Sequence, residues 1–494
     1  MICLTGSEAR LDQVARRIEG NQDCDLFEIR LDLLEHLSAP GDPPGPAGKL
    51  IVTCRPARQG GGFNGTERER LLVLSKFLSR WKPGWLDIEF DTPKPMKKEI
   101  LEQAGKISTK VIVSDHELNG FPRQGLSDAL EQLAAENTDA FKFAVTVHDA
   151  GDLKDILEYG KSFSSRKEHA VLIGMGPAGL LSRALYDRFG SSWCYLAQSR
   201  SMTTASGQMD TDTFKSYGLP LKPGAELYVL MGGPQVMLSP GPAVYNKLFR
   251  ETGFNGVYLP VITKRPGETL DLLALLGCKG ASVTMPLKAR CLASTDRVSI
   301  EAERSGSLNT LTFESRGSLR GHSTDGLGAT AALRTKIRDL KDKKAVVLGT
   351  GGTASSIAYA LQRAGTAVTI LGRDLSRAKT LGHRLGAGAG RLDELSGLNF
   401  DILVNATPVG MNREEESLVR DTSLLAGKVV LDVILSPSTR LLRDTIDAGG
   451  TPISGVRMWA EQGRLQLEDW GIVNIHGDRL FAEATAFFET MEKQ

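Results

Sequence analysis

In the stretch "DAFKFAV", Lys142 lies between Phe141 and Phe143, with Ala140 and Ala144 two residues away on either side. The run has the composition of a buried strand. A lysine removed from water has a lowered pKa and can act as an amine nucleophile, condensing with a ketone to form an imine. The small alanines leave room above it for a substrate. The commoner alternative is a lysine that snorkels to solvent or pairs with a carboxylate. Imine chemistry also needs a base for the proton next to the carbonyl carbon. Of seven histidines in the chain, His148 shares the face of Lys142 but lies six residues on, roughly 20 Å along an extended strand. His116, in "SDHE", closes the preceding apolar run and is better placed.

A second chemistry is written in "KKAVVLGTGGTASSIAYALQRAGTAVTILGR" (Lys343 to Arg373). The pattern reads strand, glycine-rich turn, helix, strand, the unit that binds dinucleotides. The turn "GTGGTA" (Gly349, Gly351, Gly352, Thr353, Ala354) opens the helix, whose first amides and dipole suit a pyrophosphate. An NAD site would place an acid after the second strand for the ribose hydroxyl. Arg373 stands there, with Arg377 four residues on, so both can reach one phosphate. That argues for NADP; the alternative is a pair of solvated arginines at a helix start.

These residues need elements to hold them. Eight short apolar runs start near positions 2, 26, 50, 85, 110, 140, 170 and 193, with helix-like segments between them. Eight such units in about this length predict a (β/α)8 barrel. Glu28, Arg30 and Asp32 share one face of "FEIRLD", and "LDIEFD" repeats the pattern with Asp87, Glu89 and Asp91. Strand side chains alternate, and the apolar face must meet the helices, so the charges are expected to point into the barrel. A solvated edge strand is the alternative. The domains expected are a barrel over 1–218, a linker over 219–226 around "YGLPLKPGAEL", and a two-part unit beyond. In that unit a substrate domain covers 227–335, completed by a helix at about 475–494, and a dinucleotide domain covers 336–474. The fold class is therefore α/β, a TIM barrel fused to a Rossmann-containing unit.

A length of 494 residues accommodates two or three domains. A net charge of +1 offers no bulk attraction to nucleic acid or to a membrane surface. The six cysteines show no CxxC spacing, which suits a reduced cytoplasmic protein and predicts no metal site. Neither a signal peptide nor a membrane span is expected.

The pieces "FEIRLD", "VTCRP", "SDHE", "DAFKFAV", "GPAGLLSR" and "TTASGQ", spread in order through residues 1 to about 215, resemble type I 3-dehydroquinate dehydratase. The resemblance implies that Lys142 forms the imine and that His116 moves the proton. It implies that Arg183 holds the substrate carboxylate, and that Glu28, Arg30, Arg55, Thr204 and Gln208 line the site. Gln59 stands where the family usually has a glutamate, and Thr204 where it has a serine. From about 227 onward, "SVTMPLK", "GSLNTL", "STDGLG", "NATPVGM" and "GVRMWAEQG" are similar to shikimate dehydrogenase. This implies Lys288 and Asp325 as the catalytic pair and Ser239, Thr284, Asn309 and Gln462 as substrate ligands. Asn405, Thr407, Gly410, Met411 and Gly455 would lie along the cofactor. Gly241 replaces the second serine of the family's carboxylate loop, and Leu435 a common tyrosine.

The whole chain thus resembles the fused enzymes that turn 3-dehydroquinate into 3-dehydroshikimate and then shikimate with NADPH. The expected partners are these small molecules alone, with no oligomeric state implied. One rival reading has the second half act on quinate with NAD, against which Arg373 and Arg377 speak. Another is a metabolite-sensing pseudoenzyme, which should have lost Lys142, His116 or Lys288.

Overall fold

A computed structural model describes residues 1–37, 40–122, 124–136, 138–163, 169–314, 317–411 and 415–491. Its contacts divide the chain into two compact units, one of Met1–Ala225 with Val261–Leu276, the other of Glu226–Pro260 with Gly277–Gln494.

The first unit is built on eight parallel strands: β1 (Ile2–Thr5), β2 (Leu26–Arg30), β3 (Leu50–Thr53), β4 (Trp85–Glu89), β5 (Lys110–Glu117), β6 (Ala140–Thr146), β7 (His169–Met175) and β8 (Cys194–Ala197). They run in the order β7-β6-β5-β4-β3-β2-β1-β8. Between β7 and β8 the Ser192 amide donates to the Ala170 carbonyl at 2.8 Å, so the sheet nearly closes on itself. Each strand lies within a residue of its expected start, because apolar runs bounded by turns are a reliable strand signal.

The interior of the barrel is layered. Leu26, Ile51, Trp85, Ile112, Ala140, Val171 and Trp193 form a packed apolar floor. One pleat further along each strand, the inward positions become Glu28, Thr53, Asp87, Ser114 and Lys142, all buried. The floor fills the barrel, so the charged layer sits at the strand C-terminal ends, where barrels of this kind carry their chemistry. Asp32 and Asp91 lie beyond their strand ends. Asp32 sits in the short turn Leu31–Leu33, and Asp91 is a half-exposed partner of Arg58.

Residues Val261–Leu276 fall inside the range expected for the substrate domain yet pack with the first unit. Asp149 accepts from the Thr263 hydroxyl at 2.9 Å and the Lys264 amide at 2.6 Å, and Arg265 pairs with Asp152 at 2.5 Å.

The second unit holds two sheets. One comprises β9 (Glu226–Gly232), β10 (Gly256–Ile262), β11 (Cys278–Val283), β12 (Arg297–Val298), β13 (Thr310–Phe313) and β14 (Leu319–His322), in the order β10-β9-β11-β13-β14-β12. The other comprises β15 (Lys344–Leu348), β16 (Ala367–Gly372), β17 (Gly388–Arg391), β18 (Ile402–Asn405), β19 (Val429–Asp432) and β20 (Thr451–Ile453). Its parallel order β17-β16-β15-β18-β19-β20 is the 3-2-1-4-5-6 arrangement of the Rossmann fold. The order reverses between β15 and β18, which is where dinucleotides bind. The last helix, Gly477–Met491, packs against the helices Gly241–Thr252 and Gly455–Asp469.

Candidate active sites

In the barrel, Lys142 is 3% exposed. Its surroundings differ from the apolar pocket its neighbours suggest. Phe141 and Phe143 point outward, as alternation requires, and the ammonium meets Asp87 Oδ2 at 2.8 Å and Glu28 Oε1 at 3.5 Å. The face of the Tyr195 ring lies 4.6 Å away. Arg55 shares the same carboxylates, at 3.2 Å from Asp87 and 4.0 Å from Glu28. Burial raises the carboxyl pKa of Asp87, but Lys142 and Arg55 outweigh it and hold the group below its ordinary value. Glu28 behaves alike, for the same two cations and Arg30. Two residues further along β4, Glu89 goes the other way: burial, and then the repulsion of Asp87, push it up to about 7, although Arg70 donates to it at 2.5 Å.

His116 lies on β5 beside β6. Ser114 is level with Lys142 and His116 with Ala144, so the imidazole is one pleat above the lysine on the same inward face, ~7 Å along the strand. His148 is exposed. Burial, then Arg55, Lys142 and Arg30, push His116 well below the ordinary histidine range. Its Nε2 is buried with no hydrogen-bond partner among the described residues.

Arg30 forms a two-pronged pair with Asp32, at 2.9 and 2.6 Å. Asp32 also accepts the Arg55 amide at 3.1 Å and the Gly62 amide at 2.8 Å, which anchors the loop after β3. Arg183 is 4% exposed and is held by backbone carbonyls, Gly174 at 3.3 Å and Ser206 at 3.5 Å. Burial lowers it to about 10. Among the described residues the guanidinium meets backbone carbonyls and no carboxylate. The Thr204 amide and hydroxyl both donate to Gln208 Oε1, at 2.8 and 3.3 Å, so these two residues form one small loop lock.

In the second unit, Lys288 pairs with Asp325 and also donates to the Thr353 hydroxyl at 3.1 Å. Thr353 in turn donates to Asp325 Oδ2 at 3.2 Å. Asn309 is the hub behind them. Its amide nitrogen lies 2.9 Å from Asp325 Oδ1, Gln462 Oε1 and Thr324 Oγ1. Its oxygen accepts the Thr324 amide at 2.8 Å. Lys288, Asp325, Asn309 and Gln462, distant in sequence, are thereby brought into one cluster. Ser239 accepts the Gly241 amide at 3.2 Å. A Cβ at Gly241 would lie 3.2 Å from the Tyr258 ring and 3.9 Å from Trp459, so aromatic side chains border the space where the family serine would stand. Thr284 is half-buried at the end of β11, four residues before Lys288.

The glycine-rich turn fits a dinucleotide. Gly349 has φ +118°, and a Cβ there would come 2.7 Å from the Ala406 carbonyl. Gly351 caps the helix Gly352–Arg363, with nothing within 4 Å of its missing Cβ, so the helix N-terminus is open to a pyrophosphate. Ala354 is fully buried beneath the turn. Gly455 approaches the Ile434 carbonyl so closely that a Cβ would lie 2.1 Å from it. Gly410 has φ +98° and Met411 is exposed. The Asn405 side chain is buried; it donates to Asp432 at 2.9 Å and accepts from the Thr407 hydroxyl at 2.7 Å. It shapes the loop. Arg373 and Arg377 are exposed, and Arg377 lies 3.7 Å from Asp374.

Three partners carry little signal in the sequence. Asp87 was visible only as part of a charged face, Gln59 only as a departure, and Thr353 only as a phosphate-turn residue.

The matches to known proteins agree with this geometry. Residues 1–217 match the family model of type I 3-dehydroquinase, 230–311 that of the shikimate dehydrogenase substrate binding domain, and 331–429 that of shikimate / quinate 5-dehydrogenase. The chain is 30% identical over 480 residues to a chloroplastic bifunctional 3-dehydroquinate dehydratase/shikimate dehydrogenase of Arabidopsis thaliana, covering 90% of this chain and 77% of that one. Its second half is 37% identical over 250 residues to an NADP(+) shikimate dehydrogenase of Pyrococcus abyssi, covering 50% of this chain and 92% of that one. A solved shikimate dehydrogenase in complex with NADP+ superposes with a TM-score of 0.50 at 29% identity, over 54% of this chain and 97% of that one.

A nearly closed parallel barrel with a buried lysine, joined to a Rossmann-type reductase unit, defines a two-activity α/β enzyme, a lyase and an oxidoreductase in one polypeptide. The chain belongs to the family of bifunctional 3-dehydroquinate dehydratase/shikimate dehydrogenases. Its two activities are those of the shikimate pathway, and its reductase half is of the NADP-dependent kind. Among the described residues, no helix is long and apolar enough to cross a membrane.

Proposed function

We propose that the first unit dehydrates 3-dehydroquinate through an imine on Lys142. The observation that carries this is Lys142 buried on the inward face of β6 with His116 one pleat above it, its Nε2 unpartnered among the described residues. Arg183 takes the substrate carboxylate in the two-pronged manner open to a guanidinium. Asp87, at 2.8 Å, is positioned to accept a proton as the Lys142 amine becomes nucleophilic. The amine adds to the ketone carbon and water leaves. His116 Nε2 then removes the neighbouring proton, and the C–H electron pair forms the C=C of an enamine as the C=N pair of the protonated imine moves to nitrogen. The same nitrogen returns its proton to the departing hydroxyl, which leaves as water. A second water hydrolyses the imine, freeing 3-dehydroshikimate and Lys142.

The second unit then reduces 3-dehydroshikimate to shikimate. Bound NADPH supplies a hydride. Lys288, held by Asp325 and Thr353, delivers a proton to the ketone oxygen as it becomes an alcohol. Asn309 and Gln462 orient the pair, and Ser239 and Thr284 complete the substrate pocket. Thr407, Gly410, Met411 and Gly455 would hold the nicotinamide end of the cofactor, and Arg373 and Arg377 its 2′-phosphate. We assign the domains as barrel 1–218, linker 219–226, substrate domain 227–335 with the C-terminal helix, and cofactor domain 336–474. Six free, buried cysteines fit a reducing compartment such as the cytoplasm.

A coupled assay tests the whole reading. With 3-dehydroquinate and NADPH, enone absorbance should rise and then fall as NADPH is consumed. Enone that accumulates without loss of NADPH would remove the second step, and no enone at all would remove the first.

A further inference from the structure

Gln59 ends the short turn Ala57–Gln59 after β3 and is 7% exposed. Its Oε1 accepts the backbone amide of His116 at 2.7 Å and lies 3.2 Å from the ring Nδ1. Its Nε2 donates to Asp115 Oδ1 at 3.0 Å. These contacts settle which way the amide points. Reversed, its NH2 would face a backbone N–H and its oxygen would face a carboxylate, losing two hydrogen bonds and gaining two repulsions. With the oxygen so placed, His116 Nδ1 can pair with it only by donating. The neutral ring therefore carries its proton on Nδ1, and its lone pair is on Nε2, the nitrogen that faces the interior unpartnered.

We infer that Gln59 is a positioning residue for the dehydration: it holds His116 in the Nδ1–H form, and because it is neutral it leaves the base without an anionic partner. Among the described residues the other charged groups around the ring do not supply one, and Asp91 meets the Gln59 side chain rather than the ring. Arg55 from the loop after β3, Lys142 from β6 and Arg30 from β2 are cations. The Asp115 carboxylate is engaged by the Gln59 amide and the His116 backbone, and Glu117 Oε1 by the Asn119 amide. The consequence is a base that stays unprotonated into mildly acidic solution. Once it has taken the substrate proton, it is a strong acid toward the leaving hydroxyl, because the three cations and burial disfavour the imidazolium. The inference rests on His116 as the proton carrier.

Two measurements test it. In protein labelled with 15N-histidine, the His116 signal, assigned by its loss in His116→Asn, should report the Nδ1–H tautomer at pH 7.5. The Nε2–H tautomer would overturn the inference without reference to activity. In Gln59→Glu, a carboxylate facing Nδ1 should move the acid limb of kcat/KM for dehydration upward by about one pH unit or more. An unmoved limb in a folded variant also overturns it. Gln59→Leu should keep KM within a few-fold, lose kcat by ten- to hundredfold and populate both tautomers; unchanged kcat would make Gln59 merely structural. If the reading of His116 itself is wrong, His116→Asn will dehydrate normally, an outcome distinct from the tautomer result.

Discussion

The hydroxyl of Thr353 accepts a hydrogen bond from the Lys288 ammonium at 3.1 Å. One residue belongs to the glycine-rich turn expected to cradle a pyrophosphate, the other to the loop after β11. The hydroxyl passes its own proton toward Asp325, so a residue of the cofactor helix completes the Lys-Asp pair of the substrate domain. Thr353→Val keeps the shape and the backbone amide but removes this link. A hydrogen bond to a charged group is worth about 1.5–3 kcal/mol, so kcat for shikimate oxidation should fall ten- to hundredfold. NADP affinity, measured by fluorescence titration, should change little, and Thr353→Ser should recover most of the rate. A variant that loses NADP binding while keeping its rate at saturation would place Thr353 on the phosphate alone.

Lys142 should be trapped by its substrate. Borohydride added with 3-dehydroquinate should fix a ligand on this residue, located by peptide mass spectrometry, because the ammonium is the buried amine at the centre of the charged layer. Dehydration by Lys142→Ala at the parent rate would remove the covalent mechanism.

The two activities should fail separately. Lys288→Ala should lose NADPH-linked reduction, and dehydration should persist, since its site draws on the barrel strands and the loops that follow them. Lys142→Ala should still reduce added 3-dehydroshikimate. Each is read with separate substrates. Loss of both steps in either well-folded variant would contradict two self-sufficient sites.

Cofactor choice should depend on Arg373. This arginine follows β16 and is exposed. Removing one charged contact to a phosphate costs about 1.5–3 kcal/mol, roughly ten- to hundredfold in affinity. Arg373→Ala should raise KM for NADPH by that factor and leave KM for NADH nearly fixed. Added salt should weaken NADPH binding more than NADH binding, because both partners are solvent-facing. Equal effects on the two cofactors would return Arg373 and Arg377 to the solvated surface.

Acid stability of the barrel should show opposing carboxylates. Asp87, Glu28 and Asp32 have lowered folded pKa values. Each therefore stabilises the fold above its unfolded pKa, and that gain disappears as pH falls through the folded value. Glu89, raised to about 7, works in reverse. Between its unfolded value near 4.5 and about 7 the folded state holds more protons, so its contribution declines as pH rises. Glu89→Gln should make the denaturant midpoint rise more steeply from pH 5 to 7. An unchanged dependence would mean that Glu89 is ionised throughout.

By itself the sequence determined the strands, the barrel and the dinucleotide unit. Hydrophobic runs, alternation and glycine turns are local, and each is written within a few residues of the element it specifies. It also singled out Lys142 and His116, and by the resemblance of its motifs Lys288 and Asp325, as the residues to look for. The tertiary structure alone decided what those residues touch. "FKF" suggests an apolar site for Lys142, yet alternation turns both phenylalanines outward, and barrel closure brings Asp87 from β4 and Glu28 from β2 to the ammonium. No local pattern records that meeting, because strand register and barrel curvature set it across more than a hundred residues of chain for Glu28. The Gln59–His116 and Thr353–Lys288 contacts arise in the same way. Each joins side chains on different elements, whose separation depends on how those elements pack.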